Sequence, residues 1–121
     1  MRLLQIAQHV DDLQRASDFY TVLLDTGPSA MFDPPGLVFF DLDGVRLLLD
    51  RSAPSSLLYL QVDNVHETLE RLGGLAEVVT PPHVIFTHDD DTLGPAGHEE
   101  WQTFIKDSED NLLGLVAFQL P

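Results

Sequence analysis

Val10-Asp11-Asp12-Leu13 and Val62-Asp63-Asn64-Val65 are two versions of one junction, and their repetition decides how the chain is read. Each closes a strand-like stretch and opens one with helical spacing. Before the first junction, Leu3 to Val10 alternates imperfectly, as a half-buried strand does. After it, Leu13, Ala16, Tyr20, Leu23 and Leu24 share one helical face. Asp11 or Asp12 offers the N-cap oxygen; with Asp11 as cap, Gln14 takes the N3 place of a near capping box. Gly27-Pro28 reads as the helix stop, the glycine taking the left-handed cap.

Further along, Ser29 to Phe32 is a short strand, Asp33 to Gly36 a turn, and Leu37 to Leu42 a strand. Asp43-Gly44 is a hairpin signal, and Val45 to Asp50 returns. Arg51 to Ser55 has linker composition. The order then restarts. Ser56 to Val62 is strand-like, and Asn64 caps a helix carrying Val65, Leu69 and Leu72 until Gly73-Gly74. Glu77 to Thr80 and His83 to His88 read as strand segments interrupted by Pro81-Pro82. A polar loop spans Asp89 to His98, and Glu99 to Lys106 with Leu112 to Gln119 makes a hairpin around Asp107 to Asn111. An internal duplication explains the repeated order. The expected fold is α+β: one domain, 1–121, of two tandem βαβββ modules forming a curved mixed sheet around a cup-shaped pocket. Module 1 covers about 1–50, the linker 51–55 and module 2 about 56–121. One module alone leaves a sheet face bare, so the two must associate.

Composition narrows the partners. The formal charge is −14 and Lys106 is the only lysine, so nucleic acid, which needs clustered Lys and Arg, is excluded as a partner. The same charge disfavours polyanionic substrates and favours a cationic ligand, although solubility is its simplest use. There is no cysteine, so disulfides, thiolate metal sites and cysteine nucleophiles are excluded. No apolar run is long enough to span a membrane, and Met1-Arg2-Leu3-Leu4-Gln5 is unlike a signal peptide. A cytoplasmic protein is expected.

Taken together, these pieces resemble the vicinal oxygen chelate superfamily of glyoxalases, bleomycin-resistance proteins and extradiol dioxygenases. The carriers are Val10-x-Asp12-Leu13, Phe19-Tyr20 and Leu23-Leu24-Asp25 in the first half. In the second they are Val62-Asp63-Asn64-Val65 and Lys106-Asp107-Ser108-Glu109-Asp110-Asn111-Leu112-Leu113, which is similar to the family's Asp-Pro-Asp-Gly-Asn turn with Ser108 and Asp110 departing. Pro82-His83 with Glu99-Glu100-Trp101 resembles a subgroup of uncharacterised glyoxalase-like proteins.

The resemblance implies four metal-ligand positions, a His or Gln five residues before each junction valine and a Glu on the last strand of each half. Here they are Gln5, Leu57, Leu48 and Gly114. Only Gln5 has a donor, and one amide oxygen does not offset a cation's dehydration. No cofactor is therefore expected. A zinc, nickel or iron ion would need a displaced site, for which His83, His88 and Glu100 are the candidates.

Parity along the strands, set from those four positions, turns Ala7, His9, Arg46, Asp50, Tyr59, Gln61, Val116 and Phe118 inward. The family pattern adds Glu100, Gln102 and Phe104. The expected ligand-binding set is Gln5, His9, Arg46, Tyr59, Gln61, Gln102 and Phe104, with Glu100 as the catalytic base beside the Gln102 amide. The competing readings are local: a solvated Glu100 beside Glu99, a His9 that contacts the following helix, and an Arg46 paired with Asp50. Trp101 has the opposite parity and is expected against a helix. Asp89-Asp90-Asp91 reads as a solvated loop tip, and Gly94-Pro95-Ala96-Gly97 as a turn without a phosphate motif. The expected function is small-molecule binding with lyase-like or isomerase-like action on a small carbonyl compound. The alternatives are non-catalytic sequestration of a cationic small molecule, in the manner of antibiotic-resistance proteins, and a scaffold with a vestigial pocket. The resemblance also implies a homodimer.

Overall fold

The structure is a computed structural model describing residues 2–121. The chain is α+β and divides into two compact units, Met1–Ser56 with Asp107–Asn111, and Leu57–Lys106 with Leu112–Pro121. Each unit holds one four-stranded mixed sheet. Among the described residues no helix is long and apolar enough to cross a membrane.

In the first unit, β1 (Gln5–His9) is followed by α1 (Leu13–Leu24), β2 (Ala30–Phe32), β3 (Leu37–Leu42) and β4 (Val45–Asp50). The sheet order is β1-β4-β3-β2, with β1 and β4 parallel and the other pairs antiparallel. Parallel neighbours need a long crossover, which α1 and the hairpin strands supply. The cap is Asp12, whose side chain accepts the Arg15 amide at 2.9 Å, so Arg15 rather than Gln14 holds the N3 place. The helix ends at Asp25, in the left-handed region at φ 54°, two residues before Gly27. Aspartate is one of the few side chains that tolerates that conformation, which is why the glycine is not needed. Leu13, Ala16, Phe19, Tyr20 and Leu23 are buried, as are Val38, Phe40, Leu47 and Leu49 of the sheet below, while Leu24 is only half-buried. Asp43 and Gly44, both at positive φ, close the β3–β4 hairpin.

In the second unit, β5 (Leu58–Gln61), α2 (Val65–Leu72) and a 3₁₀ turn (Gly73–Leu75) lead to β6 (Glu77–Thr87), β7 (Glu99–Lys106) and β8 (Leu112–Gln119). The order β5-β8-β7-β6 repeats the topology of the first sheet. Asn64 caps α2 by accepting the Glu67 amide at 3.0 Å, and Gly73 at φ 53° ends it. Val65, Thr68 and Leu72 are buried with Leu58, Ile105, Leu113, Leu115 and Ala117; Leu69 is half-buried. The expected break at Pro81-Pro82 does not occur, because β6 runs through it with register shifts against β7 between Thr80 and His83 and on either side. A sheet edge tolerates proline because its outward amides have no ladder bond to lose.

The Asp107–Asn111 turn joins β7 to β8 but belongs to the first unit. Asp107 is buried and fully satisfied. Its Oδ1 accepts the amides of Glu109 and Asn111 at 2.8 Å, and its Oδ2 accepts the Tyr20 hydroxyl at 2.7 Å and the Asn111 amide at 2.9 Å. Burial, then the Asp107 charge, pushes the Tyr20 hydroxyl pKa up, which keeps it a donor. Glu109 closes the start of α1: Oε1 accepts the Asp11 and Asp12 amides at 2.9 Å, and Arg15 forks onto the carboxylate at 2.7 and 3.0 Å. Burial alone would raise the Glu109 pKa. The Arg15 bond, the Asp12 amide, the Ser108 hydroxyl and the Asp11 amide outweigh it and hold the pKa at about 2.

Candidate functional site

On the sheet face of the second unit turned away from α2, cross-strand pairing assembles three rows. Phe86, Glu100 and Phe118 form one; His83, Gln102, Val116 and Gln61 the next; Thr80, Phe104, Gly114 and Tyr59 the third. Alternation along β7 puts Glu100, Gln102 and Phe104 together, as their parity requires. Trp101, of opposite parity, meets His66 of α2 edge to face with ring centroids 5.3 Å apart.

Glu100 is the centre of the polar group. Its Oε1 lies 2.9 Å from His88 Nε2, and its Oε2 accepts the Gln102 side-chain amide at 3.1 Å. An ionised carboxylate only accepts, so opposite Glu100 the hydrogen stands on His88 Nε2; in the neutral ring the lone pair is then on Nδ1. Gln102 and His88 therefore occupy both carboxylate oxygens, and Nδ1 is the ring nitrogen that Glu100 does not engage.

His88 is held tightly. Its side chain is 2% exposed, with the Phe86 and Phe118 rings edge-on at 4.8 and 5.5 Å. Gly94 packs against it: a Cβ there would stand 2.9 Å from His88 Nε2 and 2.7 Å from Phe118 Cε1. The 89–98 loop reaches that position through its own hydrogen bonds. The His88 amide donates to His98 O at 2.9 Å, and the Gly97 amide donates to His88 O at 2.8 Å. Asp90 Oδ1 accepts the Thr92 amide at 3.0 Å and Asp91 Oδ1 the Ala96 amide at 2.8 Å, so two of the three exposed aspartates shape the loop. Thr92, through its side chain and its amide, and then the nearby His88 hold the Asp90 pKa below its ordinary value. Phe86, His88, Asp89, Asp90, Thr92 and Leu93 line a cleft of about 270 Å³ beside the ring.

The other candidates divide plainly. His83 is exposed, donates from Nδ1 to Pro81 O at 3.0 Å and makes no bond to Glu100. Of the displaced metal set His83, His88 and Glu100, only the last two meet, and no group of three His, Cys, Asp or Glu among the described residues is arranged to hold a metal. Of the four implied ligand positions, Leu48 is buried and Leu57 is half exposed. Gly114 lies under the Tyr59 ring, where a Cβ would be 2.7 Å from Tyr59 Cδ1 and 3.2 Å from Phe104 Cε1. Tyr59 and Phe104, with centroids 5.8 Å apart, fill the space that a ligating side chain at 114 would enter. Those three donors are absent, so a metal at the usual position does not fit this residue set.

In the first unit, Gln5, Arg46 and Asp41 share a row, as do His9, Asp50 and Leu37. His9 is tied down by Ala53 O at Nδ1 and Asp11 Oδ1 at Nε2, both at 3.1 Å. Arg46 does not pair with Asp50. Four residues of strand separate them by about 13 Å; the guanidinium sits over the Phe39 ring at 5.7 Å, and Asp50 accepts the Ser52 amide at 2.8 Å. Sequence reading missed Phe86, Phe118 and Gly94 as partners of His88. The only signal was that Phe86 and Phe118 share parity with Glu100 on adjacent strands.

Solved structures of similar fold span nearly the whole chain. A glyoxalase-related enzyme from Fulvimarina pelagi is 16% identical with a TM-score of 0.68, covering 97% of this chain and 88% of its own. A glyoxalase/bleomycin resistance protein from Albidiferax ferrireducens T118 is 15% identical with a TM-score of 0.65, covering 95% of this chain and 98% of its own. A glyoxalase/bleomycin resistance protein/dioxygenase from Alicyclobacillus acidocaldarius is 18% identical with a TM-score of 0.65, covering 97% and 91%. No protein-family model and no curated protein matches the chain. The chain has the fold of these glyoxalase/bleomycin resistance/dioxygenase structures.

Proposed function

We propose that this glyoxalase-fold protein binds a small carbonyl compound on the Glu100 face and moves a proton with the His88–Glu100 pair, in the manner of a lyase or isomerase. The observation that carries the proposal is the 2.9 Å contact between His88 Nε2 and Glu100 Oε1, with Gln102 on the other oxygen. The carboxylate fixes the ring's tautomer and orientation, and Nδ1 takes a proton from the carbon next to the carbonyl. Glu100 then stabilises the imidazolium that forms, and Gln102 keeps Glu100 in place. Tyr59, Gln61 and Phe104 supply the apolar and polar remainder of the same face. Gln5, His9 and Arg46, in the other unit, have no step here. The proposal routes none through a metal, in keeping with Leu48, Leu57 and Gly114 at the usual ligand positions.

The test is exchange of solvent deuterium into a panel of small enolisable ketones and aldehydes, followed by proton NMR. The protein is expected to catalyse exchange with at least one of them, with His88→Gln slowing it about 10²–10⁴-fold and Glu100→Gln also slowing it. No exchange with any compound, or unchanged exchange in His88→Gln, overturns the proposal.

Non-catalytic sequestration of a cationic molecule is the second reading, favoured by the charge of −14. A homodimer is proposed as well, supported by the unpaired β6 edge with Val79 and Ile85 exposed; light scattering giving a monomer mass overturns it. The absence of cysteine suits a reducing cytoplasm, where we propose the protein acts.

A further inference from the structure

We infer that Arg46 and Gln5, neighbours on the sheet face of the first unit turned away from α1, bind the carboxylate of a small apolar monocarboxylic acid. The site does not depend on the chemistry of the His88–Glu100 pair.

The first observation is a cation left without an oxygen partner in an acidic chain. Six lysines and arginines stand against 20 aspartates and glutamates. Arg15 forks onto Glu109, Arg51 lies 3.8 Å from Asp33, Lys106 lies 4.0 Å from Glu77, and Arg2 donates to Gly44 O at 2.6 Å. Arg71 is engaged as well. Arg46 has no hydrogen bond or ion pair among the described residues, and its contact is the Phe39 ring, 5.7 Å away at the centroid. Asp41 stands directly across from it on β3, yet Asp41 Oδ1 accepts the Gly44 amide at 3.1 Å instead.

The second is the way the cation is held. A guanidinium over a ring spends its charge there and none of its N–H donors. Phe39 is half-buried and lies diagonally across the β3–β4 pair from Arg46, so the ring places the guanidinium while the fork stays free. A planar fork of N–H donors matches a carboxylate.

The third is the neighbour. Gln5 is the β1 residue in register with Arg46, on a strand about 4.8 Å away. Its side chain makes no bond among the described residues, so its amide adds a further donor beside the fork. The next row of the same face, Ala7, Leu48 and Phe39, is apolar and suits the carbon frame of the acid. The net charge of −14 repels polyanions, which restricts the ligand to a single carboxylate.

The test adds sodium phenylacetate, with phenylacetamide as its neutral counterpart, and follows the Arg46 Nε–H and Gln5 side-chain amide signals by NMR. Phenylacetate is expected to shift both signals saturably, and phenylacetamide to bind about tenfold more weakly. Arg46→Lys, which keeps the charge and loses the fork, is expected to weaken phenylacetate about fivefold, and Arg46→Gln to abolish its effect on the Gln5 amide. Arg46 is exposed, so both variants should keep the fold, and their backbone amide spectra check this. Equal affinity for phenylacetamide, unchanged affinity in either Arg46 variant, or shifts confined to the other arginines overturn the inference.

Discussion

The two helices begin alike and are finished differently. Asp12 at the start of α1 and Asn64 at the start of α2 each accept the amide three residues on, at 2.9 and 3.0 Å. Beyond that the likeness ends. At α1, Glu109 accepts two further amides and the Arg15 fork, and Asp107 and Asn111 lock the same turn to Tyr20 and His9 O. At α2, the corresponding start borders an open cleft of about 310 Å³ lined by Val62, Asp63, Asn64, Glu67, Thr68 and Arg71. The hairpin turns account for the difference. Asp43-Gly44 is a two-residue turn, too short to carry a clasp, whereas Asp107–Asn111 has room for an aspartate, a glutamate and an asparagine. The two units repeat one strand order, and the longer turn gives the first a clasp. The polar trio of His88, Glu100 and Gln102 lies in the other.

Removing the centre of the clasp should have the largest effect. Asp107→Ala leaves the Tyr20 hydroxyl and the amides of Glu109 and Asn111 without their acceptor. It is expected to destabilise the protein by about 3–5 kcal/mol in urea unfolding, and a loss below about 1 kcal/mol would show that the turn is not a clasp. Glu109→Gln comes next, at about 1.5–3 kcal/mol, because it removes charge from the Arg15 fork while preserving shape. The same residue sets an acid dependence. Its folded pKa, about 2, lies below the ordinary 4.5, so its stabilisation is present above pH 4.5 and is lost as pH falls toward 2. Between those limits wild type is expected to lose stability more steeply than Glu109→Gln; parallel curves would break the assignment.

Gly94→Ala sharpens the comparison from the other module. A Cβ against His88 and Phe118 is expected to cost about 1–3 kcal/mol and to move the His88 ring signals, whereas Glu109→Gln should leave those signals in place. Unmoved His88 signals in Gly94→Ala would mean that the loop, rather than the ring, gives way. The smallest change is Asn64→Ala, at about 1 kcal/mol. It should fall well short of Asp107→Ala, since it removes one cap bond while Val65, Thr68 and Leu72 stay buried.

One strand of the candidate site was legible in the sequence, and the reason is local geometry. Glu100, Gln102 and Phe104 share a face because alternate strand residues must, and Asp43-Gly44 turns because few dipeptides accept two positive φ values. Period and cap chemistry placed the helices, with errors of a residue or so at Asp12 and Asp25. Pro81-Pro82 misled because tolerance of proline depends on lying at a sheet edge, which no local pattern records.

By itself, then, the sequence determined the repeated βαβββ order, the acidic and cysteine-free character, and the absence of side-chain donors at Leu48, Leu57 and Gly114. Only the tertiary structure decided which of His83, His88 and His98 meets Glu100. All three flank one polar loop, and the choice follows from where Gly94 lets that loop pack. Likewise Glu109 reads as a solvated turn acid until the fold brings it to the Asp11 and Asp12 amides, across 98 and 97 residues of chain. Periodicity and turn chemistry act between neighbours; a hydrogen bond across such a distance exists only once the chain has closed.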